Sequence, residues 1–271
     1  MNIRRIGSAA AAVTLALGLA ACGGSDDGGN GLKIGIKFDQ PGLGLKEGNE
    51  YTGFDVAVAK YVADKLGTAE DDIQFVQAPS AQRETLLETG QVDMIVATYS
   101  ITDSRKEKVG FAGPYFIAGQ DLLVRSDDDS ITGPESLDGK RLCSVSGSTS
   151  AQNVQEEVPG VNLQEFGTYS ECVSALVSNA VDALTTDDTI LAGYASQDQY
   201  KGKLKVVGAP FSEEKYGIGI AKGDVEKCEQ INDAISEMIS DGSWETAVQE
   251  NLGEAGFTPG KGNPPTPAPC S

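Results

Sequence analysis

The stretch Gly90–Ser100, "GQVDMIVATYS", decides the fold once it is set beside Ser178–Asp188, "SNAVDALTTDD". Each follows a helical pattern and reads small residue, Val-Asp, apolar run, polar loop. A short apolar run of this kind, entered from a helix and left through a polar turn, marks a buried strand of a parallel sheet. Working outward, "LKIGIKF" from Leu32 and "DIQFVQ" from Asp72 are also strands. Between them "GFDVAVAKYVADKLG" is an amphipathic helix with Phe54, Val58, Tyr61, Val62 and Leu66 on one side, stopped by Gly67. A short helix capped by Ser80 ends before Gly90. Strands alternating with helices build a parallel sheet with helices on its faces.

A second run of the same kind begins at Gly119 with "GQDLLVRSD". "KRLCSVSGS" is a strand, a helix follows from Ser148 to Glu157, "VNLQEF" is a strand, and "YSECVSALVSNA" is a helix. "VDALTTDD" leads into another helix, "KLKVVGAPFSEEKYGIGIAKGD" returns through extended segments, and two helices close the chain, the second holding Trp244. The class is α/β with two lobes. Open parallel sheets bind ligands beyond the carboxyl ends of their strands, and the two polar loops both lie there, so a cleft between the lobes is expected.

Charge and address narrow the function. With 40 Asp plus Glu, 21 Lys plus Arg, a net charge of −19 and no histidine in 271 residues, nucleic acid and anionic membrane surfaces are poor partners. The lack of histidine removes Ser-His-Asp and Cys-His catalysis and most zinc sites. Residues 1–22, "MNIRRIGSAAAAVTLALGLAAC", have a basic start and an apolar stretch too short to span a bilayer. They read as a signal peptide ending in a lipobox-like "LAAC" that makes Cys22 the lipidated residue. Residues 23–31, "GGSDDGGNG", form a polar tether. Four cysteines remain, Cys143, Cys172, Cys228 and Cys270. An even number in an exported chain implies disulfides, with three pairings possible. The sequential pairing, Cys143–Cys172 and Cys228–Cys270, closes two moderate loops and staples the Pro-rich tail. The "TDDT" and "SDDDS" runs lack the spacing of a calcium loop, and no metal or cofactor is expected.

"ATYSITDSR", Ala97–Arg105, places a lone arginine three residues after Thr102 in a loop of hydroxyl residues. Its planar fork beside hydroxyls and free backbone N–H groups makes a carboxylate receptor.

The segments "YTGFDVAVAKYVADKLG", "SAQRETLLETGQVDMIVATYSITDSRKEKVGFAGPYF", "VSGSTSAQ" and "VDALTTDD" resemble the extracellular solute-binding proteins (family 3) of polar amino-acid ABC importers. The resemblance runs from Leu32 to Leu252 and includes the glutamate-binding lipoproteins of high-GC Gram-positive bacteria. It implies a type II periplasmic-binding-protein-like fold: lobe 1 from residues 32–118 plus 215–271, lobe 2 from 119–214, joined by two crossover strands. It also implies roles. Arg105 clamps the ligand α-carboxylate, Ser100 assists, and Thr98 offers its carbonyl to the α-amino group. Asp187 binds the ammonium, while Ser148 and Thr149 open a helix whose N–H groups favour the carboxylate. Many relatives have "GM" or "AG" where this chain has "ATY", so Tyr99 is expected to reshape the pocket wall.

A glutamate γ-carboxylate needs a second cation, because an unpaired charge in a closed cleft is costly. Arg83, Lys37 and Lys215 are the candidates; Arg83 could instead buttress the Ser/Thr loop. Phe38 is either the aromatic floor under the ligand or plain core. The expected function is a lipid-anchored, monomeric binding protein that hands glutamate to a membrane permease. Glutamine or aspartate is the alternative ligand. A sensory lipoprotein and a cyclohexadienyl-dehydratase-like enzyme are the alternatives of other classes.

Overall fold

A computed structural model describes residues 31–270. The leader, Cys22 and most of the tether lie outside them. Among the described residues, no helix is long and apolar enough to cross a membrane.

Two five-stranded sheets carry the fold. In the first, the order is Ile73–Gln77, Leu32–Ile36, Met94–Ile95, Glu214–Ile220, Gly110–Ala118. Its first three strands are parallel, and Glu214–Ile220 runs antiparallel to both neighbours. In the second, the order is Asn162–Phe166, Arg141–Val145, Ala183–Asp187, Gln120–Arg125, Leu204–Val206. Again three strands are parallel and Gln120–Arg125 returns antiparallel. The rhyme between the two Val-Asp segments is thus a topological repeat: each supplies the third parallel strand of its sheet.

The chain passes between the sheets at Gly119 and again between Val206 and Glu214. The two passages are bonded to each other, Phe211 N to Gln120 O at 2.9 Å and Gln120 N to the Ser212 hydroxyl at 3.1 Å. Asp188 holds Gly119 from both sides: its N–H donates to the Gly119 carbonyl at 2.8 Å, and its Oδ1 accepts from Gly119 N at 3.3 Å.

Packing of the first lobe centres on aromatic rings. Helix Phe54–Lys65 buries Phe54, Val58, Ala59 and Val62, and Phe54 meets Phe116 and Trp244 edge-on at 5.4 and 5.9 Å. Gly53, which begins this helix at φ 116°, lies so close to the backbone of Leu43 that any Cβ would come within 2.1 Å of its carbonyl oxygen. Trp244 is buried and donates its indole N–H to the Tyr115 carbonyl at 2.8 Å.

Cys143 is bonded to Cys172, tying strand Arg141–Val145 to helix Tyr169–Val177. Cys228 is bonded to Cys270, tying helix Val225–Ser240 to the tail. The tail then covers the edge strand Gly110–Ala118. Asn263 brackets the peptide groups of Ile117, accepting from its N–H at 3.0 Å and donating to its carbonyl at 2.7 Å. An edge left bare would be a template for pairing with other chains.

One local expectation differs. Ser80 is not the cap of the short helix: Ser80–Gln82 form a 3₁₀ turn before helix Arg83–Glu88, and the Ser80 hydroxyl accepts from Lys37 instead. A three-stranded sheet of Asp39–Gln40, Gly44–Glu47 and Glu50–Thr52 lies between the first strand and helix Phe54–Lys65.

Candidate functional site

Thr98 sits where strand Met94–Ile95 ends, with a left-handed backbone at φ 45°. A threonine there is strained, and the surroundings hold it. Its N–H donates to Asp55 Oδ2 at 2.9 Å, and its hydroxyl donates to the Ala97 carbonyl at 2.8 Å. Asp55 is fully buried, its other oxygen accepting from the Tyr115 hydroxyl at 2.7 Å, and burial lifts its carboxyl to about 6. This turn sends the chain across the carboxyl ends of the sheet.

Tyr99 comes next and lies between two guanidinium groups, Arg83 at 4.2 Å and Arg105 at 5.0 Å from its ring centre. Its hydroxyl donates to Glu84 Oε1 at 2.7 Å, and the same oxygen meets Arg105 Nε at 3.3 Å. Burial raises the Tyr99 phenol above its ordinary range. Tyr99 therefore spaces the two arginines and shares Glu84 with Arg105.

Arg105 is buried in a four-residue helix capped by Thr102. It donates to the Ser100 carbonyl at 2.8 Å and, from the other sheet's loop, to the Gly147 carbonyl at 3.1 Å. The Ser100 hydroxyl meets that of Thr149 at 3.2 Å. Ser148 caps helix Thr149–Glu157, accepting from Ala151 N at 3.0 Å. The loops of the two sheets thus touch across a cleft.

Asp187 ends strand Ala183–Asp187 and begins the next helix without capping it. Its oxygens accept from the Tyr216 hydroxyl at 2.7 Å and the Ser150 hydroxyl at 3.4 Å. Burial, reinforced by Glu214, lifts its carboxyl to about 8. A carboxyl raised in this way gains from a cation placed beside it.

Arg83 is buried and donates to the carbonyls of Ala97 at 3.0 Å and Thr98 at 3.5 Å, so it does buttress the loop. Its Nε has no hydrogen-bond partner among the described residues. Burial and then the charge of Arg105 lower it to about 10. Lys37 is buried with one hydrogen bond, to the Ser80 hydroxyl at 2.7 Å, and burial followed by Arg83 lowers it to about 7. Three basic side chains are gathered here, and among the described residues only Arg105 is ion-paired, with Glu84.

Lys215 falls outside the cluster. It is exposed and paired with Glu213 at 3.2 Å, because its strand position faces solvent rather than the cleft. Phe38 is half-buried and packs on Tyr51 at 5.4 Å with Lys46 Nζ 5.0 Å from its ring centre, as part of the core margin. A cavity of about 580 Å³ elsewhere, lined by Asp121, Asp188, Lys201, Pro210 and Phe257, contains none of the clustered residues.

Residues 32–254 match the family model described as bacterial extracellular solute-binding proteins, family 3. The chain belongs to that family. Among curated members, the glutamate-binding protein GluB of Corynebacterium efficiens is 49% identical, over 97% of this chain and 96% of that protein. The ABC transporter glutamine-binding protein GlnH of Bacillus subtilis is 37% identical, over 87% of this chain and 92% of its own length. An ancestral arginine-binding protein bound to glutamine, a solved structure, superposes with a TM-score of 0.77 at 36% identity, covering 83% of this chain and 98% of that one. These relatives are solute-binding proteins, and the fold is the two-lobed type II arrangement.

Within this family member, sequence reasoning passed over Glu84, Asp55, Tyr216 and Ser150. Only Asp55 left a trace, an acidic residue at the start of an otherwise apolar helix face.

Proposed function

We propose that this solute-binding protein captures glutamate between its lobes and delivers it to the permease of an ABC importer. The supporting observation is the buried trio Lys37, Arg83 and Arg105, which gathers more positive charge than one α-carboxylate would use. Arg105 takes the α-carboxylate, helped by Ser100 and by the helix that opens at Ser148 and Thr149. Asp187 and the Thr98 carbonyl take the ammonium. Arg83 and Lys37 read the γ-carboxylate, Arg83 through its unpartnered Nε and Lys37 through ammonium protons that Ser80 leaves free. The names of the GluB and GlnH relatives make glutamine the runner-up ligand.

Residues 32–118 with 215–271 form the first lobe in this reading, and 119–214 the second; the membership of the strands supports that division. Closing about the two passages lets ligand bridge both lobes and favours the closed form by its differential contacts. The protein acts as a monomer, without catalysis, held outside the cell by a lipid on Cys22.

Calorimetric titration with glutamate, glutamine and aspartate tests the reading. Glutamate should bind best. Arg83→Ala and Lys37→Ala should weaken glutamate more than glutamine, because only glutamate loses a charge partner. A wild type that prefers glutamine overturns the glutamate assignment, and equal losses for both ligands reduce Arg83 and Lys37 to scaffold.

A further inference from the structure

We infer that Asp39 is a closure latch, a carboxylate on the first lobe that caps a helix of the second and so tunes affinity without touching the ligand. This deepens the amino-acid-binding reading above and rests on it. Helix Tyr169–Val177 opens with a capping box: Thr168 accepts from Glu171 N at 3.3 Å, and Glu171 returns to Thr168 N at 2.9 Å. That box leaves the N–H groups of Tyr169 and Ser170 unsatisfied within their own lobe. Both donate to Asp39 Oδ2, at 3.0 and 3.3 Å. Asp39 belongs to the small sheet beside the first lobe, paired with Leu45.

A second helix joins the contact. The Tyr194 hydroxyl donates to the Asp39 carbonyl and lies 3.3 Å from its Oδ2. One residue earlier, Gly193 approaches so closely that a Cβ would stand 2.1 Å from the Pro41 carbonyl oxygen. Backbone meets backbone here, which only a glycine permits.

The geometry has an energetic consequence. A carboxylate at a helix N-terminus satisfies N–H groups that the helix cannot, and the helix dipole favours it. In an open cleft those groups and the carboxylate turn to water, so the bond is gained only on closure. Its free energy enters the open–closed equilibrium, and ligand affinity scales with the fraction of binding-competent protein. The loss on breaking it is therefore shared by every ligand and appears in dissociation. Asp39 also raises Lys37 by its charge, so neutral variants are needed beside the charge deletion.

The test uses the mature protein with Asp39→Ala, Tyr194→Phe and Gly193→Ala, titrated with glutamate and glutamine, with dissociation followed by stopped flow. A pair of spin labels across the cleft reports the distance between lobes without ligand. Asp39→Ala should weaken both ligands about tenfold, mainly in dissociation. Tyr194→Phe should weaken them less, and Gly193→Ala, a steric wedge, should weaken both. All three should shift the ligand-free distances towards open. Unchanged affinity and distances, or a loss confined to glutamate, overturn the latch. If the wild type binds neither ligand, the amino-acid reading fails, while the ligand-free distances still decide the latch.

Discussion

Replacing Lys37 with methionine should stabilise the ligand-free protein while impairing its choice of ligand. Lys37 is buried, has one neutral hydrogen-bond partner, and is lowered from 10.5 to about 7 by burial and then by Arg83. A lysine whose ionisation is depressed on folding opposes folding wherever it is charged in both states. Here that is below about pH 7, and at about 1.4 kcal/mol per pH unit the cost there is about 5 kcal/mol. It declines as pH rises and vanishes above 10.5, where the lysine is neutral in both states. Methionine matches the stem and removes the charge; leaving the Ser80 hydroxyl without its donor costs back about 1 kcal/mol. The net gain at pH 6, about 4 kcal/mol, corresponds to a Tm increase of roughly 10 °C for a domain of this size. Near pH 8.5 the gain should be about half as large. Thermal denaturation of both proteins without ligand, from pH 6 to 9, reads this directly. A variant that melts no higher at pH 6, or whose advantage does not shrink with rising pH, would refute the claim that Lys37 is a costly unpaired cation. Glutamate affinity should meanwhile fall about 30-fold relative to glutamine, the loss of one charge partner.

Arg105→Ala should abolish binding of every amino acid alike, at a cost of about 3–5 kcal/mol, because each ligand's carboxylate is left buried and unpaired; calorimetry showing a loss for one ligand only would contradict this. Asp187, lifted to about 8, should lose its proton when an ammonium arrives, so glutamine affinity should rise from about pH 6 to 8 with proton release. Glutamate recharges Lys37 and should therefore bind up to about one more proton than glutamine near pH 8, measurable by calorimetry in buffers of different ionisation enthalpy. The same raised carboxyl makes the ligand-free protein lose stability as pH climbs from 3.8 to about 8. Removing the Cys228–Cys270 bond, which spans 42 residues, by Cys→Ser at both positions should cost about 4 kcal/mol in denaturant titrations. Non-reducing peptide mapping should find that bond and Cys143–Cys172, with no free thiol. Cys22→Ala should release the protein from the membrane fraction into the medium; a variant that stays bound means the anchor lies elsewhere.

The sequence by itself determined the layering and the polar loops. Periodicity is local, so "GQVDMIVATYS" and "SNAVDALTTDD" reveal their strands, their common design and the cleft between them without any long-range information. The order of the motifs led to the family, and with it to Arg105, Asp187, Ser100 and Thr149 as candidates. Only the tertiary structure decided how the charges are balanced. Tyr99 between Arg83 and Arg105, with Glu84 shared by Tyr99 and Arg105, depends on residues whose contacts run across a turn strained at Thr98. The exclusion of Lys215 depends on which way one strand faces, and alternation alone leaves that open until the register with Ile117 is set. Asp39 is the clearest case. In sequence it is an aspartate after a strand, and its partners Tyr169, Ser170 and Tyr194 lie more than a hundred residues away. A hydrogen bond between segments so far apart in sequence leaves no periodic trace in the chain, because it belongs to their relative placement and not to either segment.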